Sequence, residues 1–263
     1  MSRLWINHQA WLCRGHAQLA SSGLRQSVPL LAQAPVDNTA DTAVLRIQQL
    51  LTEAPRGSLR ADTLALHIGA PWVRYAVIPW QDKLKRLSDW ESYARVAMSQ
   101  QYGIGTETWR VRVAEASWGK PRLVAAMEQG LYQTFVELAR SQKLRLTQVE
   151  PMLTTAINRH KGALRQREFA LLLIDGEQAV IAFWRDRAWR GVTALPVPPD
   201  ALRRGEAVAA LVRDAAVMAS DFLPEQIYVV ASETRFAKLE SSEFDLQWLG
   251  PVHPLFVATE VQR

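Results

Sequence analysis

The stretch FALLLIDGEQAVIAFWRDRAWRGVT, residues 169–193, decides the fold class. Phe169–Ile174 and Ala179–Trp184 are apolar runs of strand length. They flank Asp175–Gly176, a dipeptide suited to a hairpin turn because both residues tolerate positive φ. Ala188–Thr193 supplies a third strand, so a three-stranded meander is expected to open at Phe169. Working outward, Pro196–Val197–Pro198–Pro199 ends the meander. A long helix follows, with Val208, Leu211, Val212, Ala215, Ala219 and Phe222 on one face and Pro224 as its stop. Ile227–Ala231 reads as a buried strand, a short helix comes next, and Phe244–Leu249 is the last strand.

The N-terminal part opens in the same order. Arg3–Asn7 and Ala10–Arg14 read as short strands about a His8–Gln9 turn, with Leu24–Leu31 as the third. Thr39–Glu53 is a helix carrying Val44, Ile47 and Leu51 at i, i+3 and i+7. Thr63–Ile68 and Val73–Ile78 are strands, closed by Gly69–Pro71 and Pro79–Trp80. Ser88 and Glu91 have capping-box spacing, and the helix they start is expected to stop at Gly103. Trp109–Ala116 and Arg122–Met127 read as a hairpin, Leu131, Phe135 and Leu138 mark a helix, and Leu144–Val149 is a strand. Pro151 suits the first turn of a helix through His160. Three meandering strands, a helix and alternating elements is the ribonuclease-H-like order. Two such halves in one chain make an α/β, actin-like architecture. The halves are expected at 1–160 and 161–263, joined through Arg159, Lys161, Gly162, Arg165 and Arg167.

Composition narrows the class. With 263 residues, 48% apolar and 22% charged, the chain is that of an ordinary folded protein and not a mainly disordered one. Its apolar runs are far too short to span a bilayer, and no signal-peptide block opens the chain, so a cytoplasmic location is expected. The single cysteine, Cys13, excludes an intramolecular disulfide and any multi-cysteine metal site. Residues 1–150 hold 18 Lys+Arg against 12 Asp+Glu, while residues 151–263 hold 13 against 14. The surplus is scattered, Lys83, Lys85 and Arg86 being its densest group. Solvated surface is the plainest reading, an anionic membrane or acidic partner the next, and nucleic acid is not expected.

No phosphate-binding loop, dinucleotide fingerprint, zinc-protease motif or nucleophile elbow is present. The five histidines are dispersed; His8 and His16 could meet as a metal pair but read better as loop or strand-edge residues. Actin-like ATPases hold phosphate in D-x-G hairpins after the first strand of each half. Here the first turn reads Asn7–His8–Gln9, the second Asp175–Gly176–Glu177, and the adenosine loop Ser232–Glu233–Thr234. ATP hydrolysis is therefore not expected, nor any catalytic residue, metal or cofactor. A nuclease would start from Asp175 with Glu206 or Asp214 as partners, but Asp175 reads better as a hairpin-turn residue.

One segment carries a family likeness. Trp72–Trp80, with Arg74 and the ending Val77–Ile78–Pro79–Trp80, resembles an R-x-x-x-[LV]-P-W strand. Trp90–Glu91, Tyr93–Ala94–Arg95 and Tyr102–Gly103 then resemble a W…[YL]-A-R…[YF]-G helix, and Leu146, Val149, Pro151, Ala156 and Asn158 a strand-to-helix link. In these stretches the chain resembles the PilM and GspL cytoplasmic-domain family, the actin-like pseudo-ATPases of type IV pilus assembly and type II secretion. The likeness covers residues 72–103 and 146–158 by motif and most of the chain by topology. It implies a non-catalytic cytoplasmic scaffold, peripheral at the inner membrane, that receives the extended N-terminal tail of a single-pass membrane protein and works with a separate assembly ATPase. Ten tryptophans in a chain without catalytic motifs also favour an interaction surface. Tyr75, Trp80, Trp90 and Tyr93 are the candidate wall for the tail, and Lys83, Lys85 and Arg86 the candidate membrane-facing group. The alternatives are a divergent actin-like ATPase or kinase and, behind it, a ribonuclease-H-like nucleic-acid binder.

Overall fold

The structure, a computed structural model, describes residues 4–23, 30–37, 39–59, 61–103, 108–197, 202 and 204–256. The first meander is β1 (Ile6–Cys13), β2 (His16–Gly23) and β3 (Leu30–Pro35). It is followed by α1 (Ala40–Glu53) and β4 (Thr63–Ile68). The second is β9 (Glu168–Asp175), β10 (Gln178–Arg185) and β11 (Ala188–Pro196), followed by α5 (Gly205–Ala219), β12 (Gln226–Val230) and β13 (Asp245–Gly250). With β8 (Arg145–Pro151), the two five-stranded sheets have matching orders, β3-β2-β1-β4-β8 and β11-β10-β9-β12-β13. In each, the third, second and first strands are antiparallel neighbours and the last three positions are parallel. All strands of the first sheet precede α4 (Met152–His160), and all strands of the second follow it.

The first turn differs from the expected one. Residues 6–13 form one strand, and the reversal falls at Arg14–Gly15, not at His8–Gln9. His8 is polar by type but buried, its Nδ1 2.9 Å from the Ser21 hydroxyl on the next strand. A buried histidine with one ring nitrogen held by a neighbouring hydroxyl can sit in a strand interior, so residue type alone does not mark the turn. Of the expected third strand, Leu30–Leu31 fall in β3, and residues 24–29 lie outside the described residues.

Between β4 and β8 the first half carries an insertion that the linear order concealed. β5 (Arg74–Ile78), β6 (Trp109–Val113) and β7 (Arg122–Glu128) form their own antiparallel sheet in the order β5-β7-β6. It is backed by α2 (Leu87–Tyr102), with a separate core of Ala76, Ile78, Trp90, Ala94, Met98 and Val124. The start of α2 is also shifted: Asp89, not Glu91, returns a carboxylate oxygen to the helix entrance, accepting from the Arg86 N–H at 3.2 Å. Glu91 instead pairs with Arg112 at 2.7 Å, tying α2 to β6. Gly103 ends the helix at φ 86°, its N–H donating to the Ser99 carbonyl. α3 (Gln129–Ser141) then leads from β7 to β8 and buries Leu131, Phe135 and Leu138.

The main core runs between the two sheets. β9 is buried along nearly its whole length because both faces are covered. Ala170, Leu172 and Ile174 meet α5, while Phe169, Leu171 and Leu173 share a core with Leu12, Ile68, Met152, Leu153 and Ala156. Residues 251–256 cross back to the first half. Phe256 packs against Trp11 and His16, and the Pro251 carbonyl lies 3.0 Å from His160 Nε2.

Candidate functional site

β8 is the outermost strand of the first sheet, pairing with β4 on one side only. Its register slips between Leu64 and Ala65, where the Thr147 hydroxyl donates to the Leu64 carbonyl at 3.0 Å. The free edge of β8 faces the inserted sheet across a groove of about 250 Å³. Val73, Ala125, Met127, Leu146 and Val149 give the groove an apolar lining. Arg110 lies at its side with the guanidinium 4.0 Å from the centre of the Tyr132 ring. Glu150 closes one end, held by Gln148 and Thr155 at 2.7 Å each. Unpaired strand backbone beside apolar pockets is the arrangement that receives an extended peptide. A second cleft, about 470 Å³ between β5 and β11, is more polar, with Arg74, Gln101, Arg190 and Thr193 among its walls.

The four aromatic residues expected to form one wall separate in the structure. Tyr75 is 2% exposed and belongs to the main core, where its phenol oxygen accepts from the Leu153 N–H at 3.5 Å. Alternation along β5 explains this: Tyr75 points to the main core while Ala76 and Ile78 point to α2. Trp90 is also 2% exposed, its indole N–H donating to the Leu84 carbonyl at 3.1 Å. Neither presents a surface to a partner. Trp80 and Tyr93 are half-buried. Trp80 packs edge-on against the exposed Trp118 with ring centres 4.6 Å apart, and Arg122 lies over Trp90 and Trp80. This aromatic end meets β7 at Arg122 and the groove meets it from Ala125 onward, so about 10 Å of strand separates them. Lys83, Lys85 and Arg86 are exposed together, beside the exposed Leu87.

The tips of the two meanders meet. Gly15 at φ 78° and Gly176 at φ 56° make the turns, and Arg14 reaches across to Gln178 at 3.2 Å and to Glu177 at 3.9 Å. Behind them lie Cys13, Asp175 and Met152. Burial pushes the Asp175 carboxyl up to about 7, the neighbouring Cys13 thiol pulling partly the other way. A Cβ at Gly69 would lie 2.8 Å from an Asp175 oxygen and 2.9 Å from the Met152 sulfur, so no side chain fits at that position.

Solved structures share this fold. The chain overlays the PilM–PilN type IV pilus biogenesis complex with a TM-score of 0.60, at 15% identity, over 92% of this chain and 88% of that one. It overlays the cytoplasmic domain of EpsL, an inner-membrane component of the type II secretion system of Vibrio cholerae, at 0.57 and 10% identity, over 94% and 91%. A Bacteroides thetaiotaomicron protein with an actin-like ATPase fold matches at 0.56 and 8% identity, over 88% and 84%. The fold is actin-like, of the PilM and GspL kind. No protein-family model and no curated sequence matches the chain.

In an actin-like molecule the two hairpin tips are where nucleotide phosphates would lie, so the fit of these residues can be tested. Magnesium with phosphate asks for hard oxygen donors and room for water. Cys13 stands at the end of β1 where the D-x-G pattern has its aspartate, Asp175 is buried at the end of β9, and Glu177 adds an anion beside the tips. After β12, the base loop is Ser232–Glu233 leading into a 3-10 turn, Thr234–Lys238, and has no glycine. These residues do not fit a magnesium nucleotide. Among the described residues, no helix is long and apolar enough to cross a membrane.

Proposed function

We propose that this chain is a non-catalytic scaffold of a type IV pilus or type II secretion inner-membrane platform. In this role it holds the extended cytoplasmic tail of a single-pass membrane partner. The observation that carries the reading is the apolar groove along the unpaired edge of β8. A disordered tail must offset the entropy of ordering with a few buried anchors and main-chain pairing, and this groove offers both. The exposed Lys83, Lys85, Arg86 and Leu87 suit an anionic bilayer, leaving the chain peripheral to the membrane. A separate assembly ATPase supplies the motor in this reading. Trp80 and Tyr93, distant from the groove, are a second contact surface for that assembly.

The test is fluorescence anisotropy with cytoplasmic N-terminal peptides of single-pass membrane proteins encoded in the same pilus or secretion gene cluster. Val149→Asp puts an unpaired charge on the groove wall, and Arg110→Glu reverses charge at its side. Each is expected to weaken a binding peptide by about thirtyfold, roughly 2 kcal/mol, with circular dichroism unchanged. Equal affinity in both variants and the wild type would remove the groove from the reading. For nucleotide, titration calorimetry with millimolar magnesium ATP is expected to give no saturable heat. Micromolar affinity would instead favour a divergent ATPase.

A further inference from the structure

The hairpin tips that do not fit magnesium carry a different donor set. Cys13 ends β1 and His16 begins β2, and they are direct partners across the turn, so both side chains leave the same face of the sheet. Asp175 arrives from the other half at the end of β9. The Cys13 sulfur, a ring nitrogen of His16 and a carboxylate oxygen of Asp175 lie within 4.8 Å of one another, and all three residues are buried.

A second observation points to a ligand. Among the described residues, no group beyond the Cys13 thiol itself offers a hydrogen bond to either carboxylate oxygen of Asp175, and Nε2 of His16 has no partner. Asp175 is 6% exposed, so its oxygens carry a desolvation cost that the neighbouring Cys13 thiol offsets only in part. His16 is oriented as metal-binding histidines are. Its Nδ1 lies 3.3 Å from the Arg14 carbonyl, which can only accept, so the proton sits on Nδ1 and the lone pair on Nε2. The Met152 sulfur, 3.8 Å from that of Cys13, adds a soft neighbour.

We propose that Cys13, His16 and Asp175 bind one zinc ion, through thiolate, Nε2 and carboxylate, with water or the Met152 thioether as fourth ligand. Thiolate, imidazole and carboxylate together are a zinc donor set, whereas magnesium and calcium take oxygen alone. Tetrahedral zinc holds its donors about 3.3–3.7 Å apart, so side-chain rotations on the order of 1 Å bring the three to the ion. Binding expels the thiol proton to solvent. Because two ligands come from the first half and one from the second, the ion would clamp the halves together at the place where other actin-like proteins hold nucleotide.

Cobalt is the probe. Metal-free protein titrated with Co²⁺ near neutral pH is expected to develop a thiolate-to-cobalt charge-transfer band and tetrahedral visible bands. Both should saturate at one equivalent and be displaced by one equivalent of Zn²⁺. Cys13 is the only cysteine in the chain, so a thiolate band in the wild type identifies it even if variants fold poorly. Zinc should also raise the melting temperature. Cys13→Ser should abolish the band, and Asp175→Asn should weaken zinc at least about tenfold. A cobalt spectrum without a thiolate band, or zinc bound equally well by Cys13→Ser, overturns the site.

Discussion

Gly191→Ala is expected to cost on the order of 3–5 kcal/mol and to leave much of the protein unfolded at physiological temperature. Gly191 lies in β11, and a Cβ there would overlap the carbonyl oxygen of Ala219, the last residue of α5. Gly205, the first residue of α5, stands in the same relation to the Glu240 carbonyl. The helix therefore rests on backbone at both ends, with no flexible side chain able to move aside. Between those ends it covers Leu172, Ile181 and Phe183 with Val208, Val212 and Ala215, so moving either end opens the second core. Chemical denaturation of the variant checks this. A loss below about 1 kcal/mol would mean the helix can slide, and the close approach would then not be a constraint.

Acid is expected to destabilise the protein through two buried histidines. Burial, with Arg56 nearby, lowers His8 from 6.5 to about 4, while Asp62 pulls the other way. Burial, with His253 nearby, lowers His67 to about 4 as well. Glu150 lies 3.8 Å from His67 and would favour the imidazolium, but Thr155, 3.0 Å from Nδ1 of His67, donates its own proton to Glu150 and stands between the two. The folded values lie below the unfolded one, so both rings are neutral when folded and take up protons on unfolding. Stability is then full above pH 6.5 and is lost as the pH falls towards 4, by about 2 kcal/mol for each ring near pH 5. Asp175 acts in the opposite sense: its carboxyl is raised, so its burial penalty fades as the pH falls. Comparison with His8→Gln/His67→Gln removes that common contribution. Between pH 7 and about pH 5 the wild type should lose about 4 kcal/mol more than the double variant in urea unfolding. Parallel pH profiles would contradict the assignment.

Much of the fold was legible because its signals are local. The apolar runs on either side of Asp175–Gly176 and the periodicity of residues 208–219 appear as β9, β10 and α5. What was not legible depends on pairing. Nothing in Arg74–Ile78 or Arg122–Glu128 says that they pair with each other and not with β4, so the inserted sheet was invisible in the linear order. The candidate wall failed for a related reason, since alternation along β5 sends Tyr75 away from Trp80, and helix packing buries Trp90. Leu146 and Val149 read in sequence as a link between halves, but only the sheet order reveals that their strand has a free edge. Cys13 and His16 become partners only because the turn falls at Arg14–Gly15, and Asp175 joins them only in three dimensions.

Hydrogen exchange read by mass spectrometry, with and without a saturating tail peptide, tests the scaffold reading most directly. If the tail adds a strand to β8, amides in residues 145–151 and in the facing strand 109–113 should exchange at least about tenfold more slowly in the complex, while residues 80–93 remain unchanged. Slowed exchange confined to residues 80–93, or none in either segment at saturation, would contradict the groove as the place where this protein holds its partner.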